Sequence, residues 1–361
     1  MTTVLFIITI FIIILGFIFN KSKIFNVIQF IWIGILMAGN TGGMDFNVHE
    51  WFFYGAVENG VTIFANSWLF GLICQIFGKM GMNFIQTNLI VSVILLFLIY
   101  SIIHKNTKLC SLVTSLFMIF PLADSIIQKR NFWAMAIGTL AFLILLNNPD
   151  KKGKIKSLVL ILVATQIHPT FYVYLIVWIL IKLDLEKIKR IIKVLIIISF
   201  IIIPVLPNLA AIIFPASKIT LYFTTLKIPL YQSVCWWILH IIYFILFNCI
   251  IKYSTVEDGK KMVFLNNLLK LNYIMLIFMC LYYYEPTFFR IYRNTLILFY
   301  IGIGICYDSQ KFLTKYKFLY TMALVIFSIL VFTSQFIIFG KFGFNGLIKP
   351  IFTENMLFNK L

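Results

Sequence analysis

Apolar runs long enough to cross a bilayer follow one another along almost the whole of this 361-residue chain. A helix needs about 20 apolar residues to cross the hydrocarbon core. Runs of that kind occupy 3–20, 24–38, 84–103, 109–127, 131–147, 191–213, 230–251, 262–283, 289–306 and 318–340. A water-soluble chain with 62% hydrophobic and 12% charged residues has no way to hide that surface. Lipid admits only elements that satisfy their own backbone polar groups. The expected fold is therefore all-α, a polytopic transmembrane helical bundle of roughly 10–12 membrane segments. Residues 1–361 read as a single integral membrane domain. The first 20 residues lack a small-residue cleavage site and read as a retained span, not a cleaved signal.

The net charge of +18 does not point to nucleic acid, because most Lys and Arg lie in short loops between apolar runs. No glycine-rich phosphate loop is present, so nucleotide-driven chemistry and a bound cofactor are not expected. The six cysteines are scattered without a CxxC pair and read as packing residues. His49, Glu50 and Glu58 do not match a zinc spacing, and no metal is expected.

Two segments do not read as simple spans. Segment 61–80 is apolar but interrupted by Asn66, Gln75 and Gly78. Segment 157–181 carries His168 and Pro169 in its middle. Loop charges bear on both. Loop 148–156 has four lysines and loop 182–193 has five Lys or Arg, whereas loop 39–60 has none but carries Asp45, Glu50 and Glu58. Loops 252–261 and 308–317 are also basic. Basic loops belong on the cytoplasmic side, which puts 39–60 outside. A single crossing at 157–181 would place two basic loops on opposite sides. This segment is therefore expected to be a broken or re-entrant hairpin that turns at 167–170. Segment 61–80 is expected to be an external interfacial helix.

That topology collects Asp45, His49, Glu50, Glu58, Asp124, Lys129, Arg130, His168, Glu285, Arg290 and Arg293 on the outer face. Arg290 and Arg293 are three apart and share a helix face. They either anchor at the interface or present planar forks of donors to phosphate oxygens. Arg130 breaks the charge rule and has the same two readings. Asp45 is either a solvated loop carboxylate or a base. His168 is either a neutral imidazole bonded to a carbonyl freed by Pro169 or a group facing a polar cavity.

Four segments in this order resemble a known family. "MDFNVHEWFFY" followed by Glu58 resembles the acidic-aromatic external loop of EpsG-like membrane proteins, relatives of the Wzy-type O-antigen and capsule repeat-unit polymerases. "KRNFWAMAIGTLAFLIL" is similar to their arginine-led helix with its RQ-x-x-A pattern, with Asn131 in place of the glutamine and Ala134 at the small position. "ATQIHPTFYVYL" looks like their His-Pro-small motif, and "FFRIYRNTLILFY" resembles their late arginine-aromatic segment. The resemblance covers roughly residues 35–305.

It implies a GT-C-like membrane glycosyltransferase of the bacterial inner membrane with its active site facing out. Such an enzyme polymerises oligosaccharide repeat units carried on undecaprenyl diphosphate, moving the growing glycan to the non-reducing end of another lipid-linked unit. Arg130, Arg290 and Arg293 would bind the diphosphate. Asp45, His168 and Arg130 would be catalytic. Glu58, His49, Tyr284 and Tyr292 would contact the glycan. Partners would be membrane lipid and the chain-length regulator and flippase of the same pathway. Rival readings are a polyprenyl-phosphate-dependent glycosyltransferase, a lipid-linked oligosaccharide flippase and a glycan acyltransferase. A flippase should show two similar halves, and no internal repeat is evident.

Overall fold

The computed structural model describes residues 2–63, 65–148, 150–212, 216–254, 256–309, 314–340 and 342–358. Part of the basic loop 308–317 and the last residue of the expected span 191–213 lie outside them. The described residues are built from helices. In chain order the first are α1 (Thr2–Ile18), α2 (Lys23–Ala38), α3 (Phe46–Asn59), α4 (Trp68–Lys79), α5 (Phe84–Asn106), α6 (Cys110–Ile119) and α7 (Leu122–Ile127). Then come α8 (Lys129–Asn147), α9 (Lys151–Ile167), α10 (Leu175–Leu180), α11 (Leu185–Ile201), α12 (Leu206–Ala210), α13 (Ala216–Thr220) and α14 (Leu230–Lys252). The last are α15 (Gly259–Met275), α16 (Arg290–Arg293), α17 (Leu296–Asp308), α18 (Thr314–Thr333), α19 (Gly343–Leu347) and α20 (Lys349–Thr353).

Five helices are long and apolar enough to cross a bilayer: α5, α8, α14, Gly259–Tyr283 (α15 and its 3-10 continuation) and Tyr316–Ile338. Two bent pairs bring the number to seven, one kinked by 61° between α11 and the turns ending in α12, the other by 44° at the start of α17. The other apolar runs form shorter helices of 10–17 residues. Run 109–127 shows why. Phe120 is extended (φ −159, ψ 126) ahead of Pro121, and the run divides into α6 and α7. A proline has no N–H to continue a helix, and the residue before it is pushed out of the helical region.

Segment 157–181 is a hairpin. The Trp178 indole N–H donates to the Lys154 carbonyl at 2.8 Å, and the Lys154 ammonium lies 4.2 Å from the centre of the same ring. A straight helix would hold residues 24 apart about 36 Å from each other. His168 caps the first arm, and Pro169 opens a 3-10 turn, Pro169–Tyr174, that leads into α10. The ring of Phe171 packs on Gly138 of α8, where a Cβ would come within 2.3 Å of it. Segment 61–80 contributes α4, whose 12 residues reach about 18 Å and do not span. The helix packs on α3 at Gly78, where a Cβ would meet Val57 at 2.2 Å.

Polar side chains join the helices internally, where lipid offers no hydrophobic driving force between them. Asn26 and Gln29 of α2 donate to Thr114 (2.7 Å) and Ser115 (2.9 Å) of α6. Gly16 of α1 lets these groups approach, since a Cβ there would lie 2.1 Å from the Gln29 amide nitrogen. The loop after α2 is held by the C-terminal segment. The Thr41 N–H donates to the Glu354 carbonyl at 2.7 Å, and the Gly43 N–H to the Glu354 carboxylate at 3.0 Å. Gly43 has φ +91, a conformation that favours glycine, and α3 begins three residues on.

Candidate functional site

The N-terminus of α8, the hairpin turn, the start of the late arginine segment and α13 converge on a cavity of about 450 Å³. Arg130, Lys218 and Arg290 bring charge to its lining, His168, Thr170 and Thr287 line it beside Asn66, Ser67 and Ser217, and Tyr222, Phe223 and Phe288 supply aromatic wall. The convergence has identifiable causes. Asn131 and Asn294 pair their side-chain amides reciprocally, at 3.0 and 3.2 Å, which ties the Arg130 helix to the Arg290 segment. The Tyr174 hydroxyl donates to the Ile291 carbonyl at 2.6 Å and ties the hairpin to the same segment.

Among the described residues, none of Arg130, Arg290 and Lys218 lies within ion-pair distance of a carboxylate. The Arg130 guanidinium lies over Phe52 (5.4 Å) and Phe70 (5.8 Å), and its Nε has no hydrogen-bond partner. Aromatic faces hold such a cation by the ring quadrupole while leaving its fork of donors open. Arg290 Nε donates to the Thr287 carbonyl at 3.0 Å, which aims the rest of the group. His168 Nδ1 accepts from the Thr170 N–H at 3.3 Å. Nδ1 therefore carries no proton in the neutral ring, and Nε2–H is left as a donor. The alternative expectation, a bond from His168 to a freed carbonyl, is not what forms.

Asp45 stands at the start of α3, half-buried, without a side-chain cap to its helix, and is not among the residues that line the cavity. Burial raises its pKa, and the pull of Arg290, Arg130, Lys218 and Lys129 opposes the rise without cancelling it. Lys129 itself is fully buried, donating to Asn40 Oδ1 at 2.8 Å and to the Ile126 carbonyl at 3.3 Å. It secures the loop that carries Asp45.

Other sequence-identified residues lie elsewhere. Arg293 is buried in an ion pair with Asp124 and donates to Gln128 at 3.0 Å, while Asp124 also accepts from Gln335. Spacing alone put Arg293 on the face of Arg290. The two do share the single turn Arg290–Arg293, but Asp124 and Gln128 engage Arg293 while Arg290 lines the cavity. His49 is buried with its ring 6.2 Å from Phe70 and 6.4 Å from Phe84. Burial, with Arg130 and Lys129 nearby, lowers its pKa to about 3, so the ring is neutral. Glu58 is exposed near the end of α3. Tyr284 donates to the Ile203 carbonyl, and Tyr292 donates to Asn272 at 3.0 Å beneath His240, so neither lines the cavity. Sequence reasoning missed Lys218, Thr170 and Thr287. Lys218 had a legible signal, as one of two lysines in the stretch between the apolar runs 191–213 and 230–251. The threonines share one too, a Pro-Thr-Phe triplet that occurs at 169–171 and again at 286–288.

A family model, described as the EpsG family, matches residues 23–345. No curated protein and no solved structure matches the chain.

Proposed function

The chain belongs to the EpsG family, and from that premise we propose that it polymerises lipid-linked oligosaccharide repeat units on the external face of the bacterial inner membrane. The growing glycan leaves undecaprenyl diphosphate and joins the non-reducing end of another lipid-linked unit. The family supports polysaccharide polymerisation in general terms. The observation that carries the finer reading is the cavity whose three cations, Arg130, Arg290 and Lys218, have no carboxylate partners among the described residues. Lys218 is exposed, but Arg130 and Arg290 are half-buried, and unpaired cations there are costly unless an anion meets them. A diphosphate leaving group is such an anion.

The chemistry follows from the donor set. An acceptor hydroxyl attacks the anomeric carbon, the bond from that carbon to the diphosphate oxygen breaks, and its electron pair leaves with the diphosphate. Arg130, Arg290, Lys218 and the His168 Nε2–H meet the charge that develops there. Asp45 takes the proton of the acceptor hydroxyl. Its raised pKa makes it a stronger base than an ordinary carboxylate. The glycan is already activated, so no nucleotide is consumed.

The test is surface-polysaccharide length in a strain lacking this protein and complemented with wild type, Arg130→Ala or Arg290→Ala. The expected result is variants present at normal level, long chains reduced by about a hundredfold or more, and single repeat units still exported. An intact ladder in both variants would overturn the reading. Lipid-linked units held on the cytoplasmic face would replace it with a flippase.

A further inference from the structure

The two turns that line the cavity are copies of one motif. His168-Pro169-Thr170-Phe171 and Glu285-Pro286-Thr287-Phe288 share the pattern X-Pro-Thr-Phe. In each the first residue is extended, with φ −143 and ψ 118 at His168 and φ −158 and ψ 132 at Glu285. In each its side chain accepts from the N–H of the threonine two residues on, and the proline opens a 3-10 turn. Each motif ends a preceding apolar helix, α9 in one case and the extension of α15 in the other. The turns also meet at matching positions, since Tyr174 and Ile291, joined by the bond described above, each stand six residues beyond the first residue of their motif.

Both threonines line the cavity. Other threonines of this chain, such as Thr139 and Thr295, return their hydroxyls to a backbone carbonyl at 2.8 and 2.6 Å. Among the described residues, the hydroxyls of Thr170 and Thr287 have no partner and remain accessible. The arginines, Lys218 and the His168 Nε2–H can only donate, which suits an anion. A hydroxyl both donates and accepts. A sugar hydroxyl does the same, whereas a phosphate oxygen would use only half of that capacity.

We propose that Thr170 and Thr287, one on each wall, form an uncharged subsite for sugar rings beside the cationic diphosphate site. This rests on the polymerase reading and extends it to the glycan. The duplicated turn brings both hydroxyls to one cavity, and the rings of Tyr222 and Phe288 in its wall give the sugars an apolar face to lie on.

The test measures binding to the full-length protein in lipid nanodiscs. Two probes are used: undecaprenyl diphosphate without sugar, and the lipid-linked repeat unit extracted from a strain lacking this protein. Thr170→Val and Thr287→Val remove each hydroxyl at nearly constant volume, and Thr→Ser keeps it. The expected result is wild-type affinity of both Val variants for the sugar-free probe, affinity for the sugar-bearing probe lower by about 3- to 10-fold each, and recovery in the Ser variants. Equal weakening on both probes would make the hydroxyls phosphate ligands and overturn the proposal, as would no change on either. Arg290→Ala reports on the anion site separately. It weakens both probes if that site holds diphosphate and neither if it does not, whatever the threonine variants do.

Discussion

Asp124→Asn removes one charge from the buried ion pair with Arg293 and leaves the shape nearly unchanged. The two side chains are 3% and 2% exposed, so water does not replace the lost carboxylate charge. Arg293 keeps Gln128 as a neutral acceptor at 3.0 Å. Stranding a buried cation in this way costs about 3–5 kcal/mol, a large fraction of the about 5–15 kcal/mol that holds a typical fold together. Arg293→Met strands the carboxylate instead and costs a similar amount. The double variant Asp124→Leu/Arg293→Met removes both charges and recovers part of the loss, because a buried pair is barely better than a well-packed apolar one, while Gln335 and Gln128 lose their partners. The assay is the fraction of protein that stays monodisperse in detergent after heating, read beside polysaccharide length in complemented cells. The single variants lose heat stability, and the double variant regains part of it together with a normal ladder. The reasoning is refuted if Arg293→Met is as heat-stable as wild type yet fails to bind undecaprenyl diphosphate. Arg293 would then face the substrate.

Polymer synthesis should fall as pH drops through the Asp45 pKa, at a higher pH than an ordinary carboxylate gives, and the shift should be absent in Asp45→Glu if the site relaxes around the longer side chain. The stability term has the opposite sign: a raised folded-state pKa favours the fold below the unfolded value and the benefit is lost as pH rises through the folded one. Rate and thermal stability measured over one pH series check both signs. Asn131→Ala strands the amide of Asn294 and should cost about 1–3 kcal/mol, with heat stability largely restored in Asn131→Leu/Asn294→Leu. Gly138→Val pushes against Phe171, which is 1% exposed and has no room to retreat. It should cost about 1–3 kcal/mol and reduce polymer length by displacing the His168 turn. Cysteines placed at Lys152 and Lys182 should react with a membrane-impermeant maleimide from the same side of the membrane. Labelling from opposite sides would rule out the hairpin.

The class of fold was legible from apolar runs alone, because lipid leaves the backbone so few ways to satisfy itself. The hairpin was legible from two basic loops and one His-Pro pair. Arg130 and Arg290, which line the cavity, were legible as charges at the ends of apolar runs, and His168 as the break in one. The division of 109–127 was not. An apolar run reports hydropathy, and Pro121 breaks a helix without changing it.

The amino-acid sequence by itself determined which groups this chain keeps out of lipid and roughly where along it they lie. Only the tertiary structure decided which of them meet. Arg290 and Arg293 are three residues apart and chemically alike, yet one opens onto the cavity and the other is consumed by Asp124, 169 positions earlier in the chain. Thr170 and Thr287 share a Pro-Thr-Phe triplet that the sequence shows, but that both line one cavity is a matter of packing. Periodicity and charge are local properties. An ion pair or a cavity wall is set by the packing of helices far apart in sequence, and no window of the chain contains it.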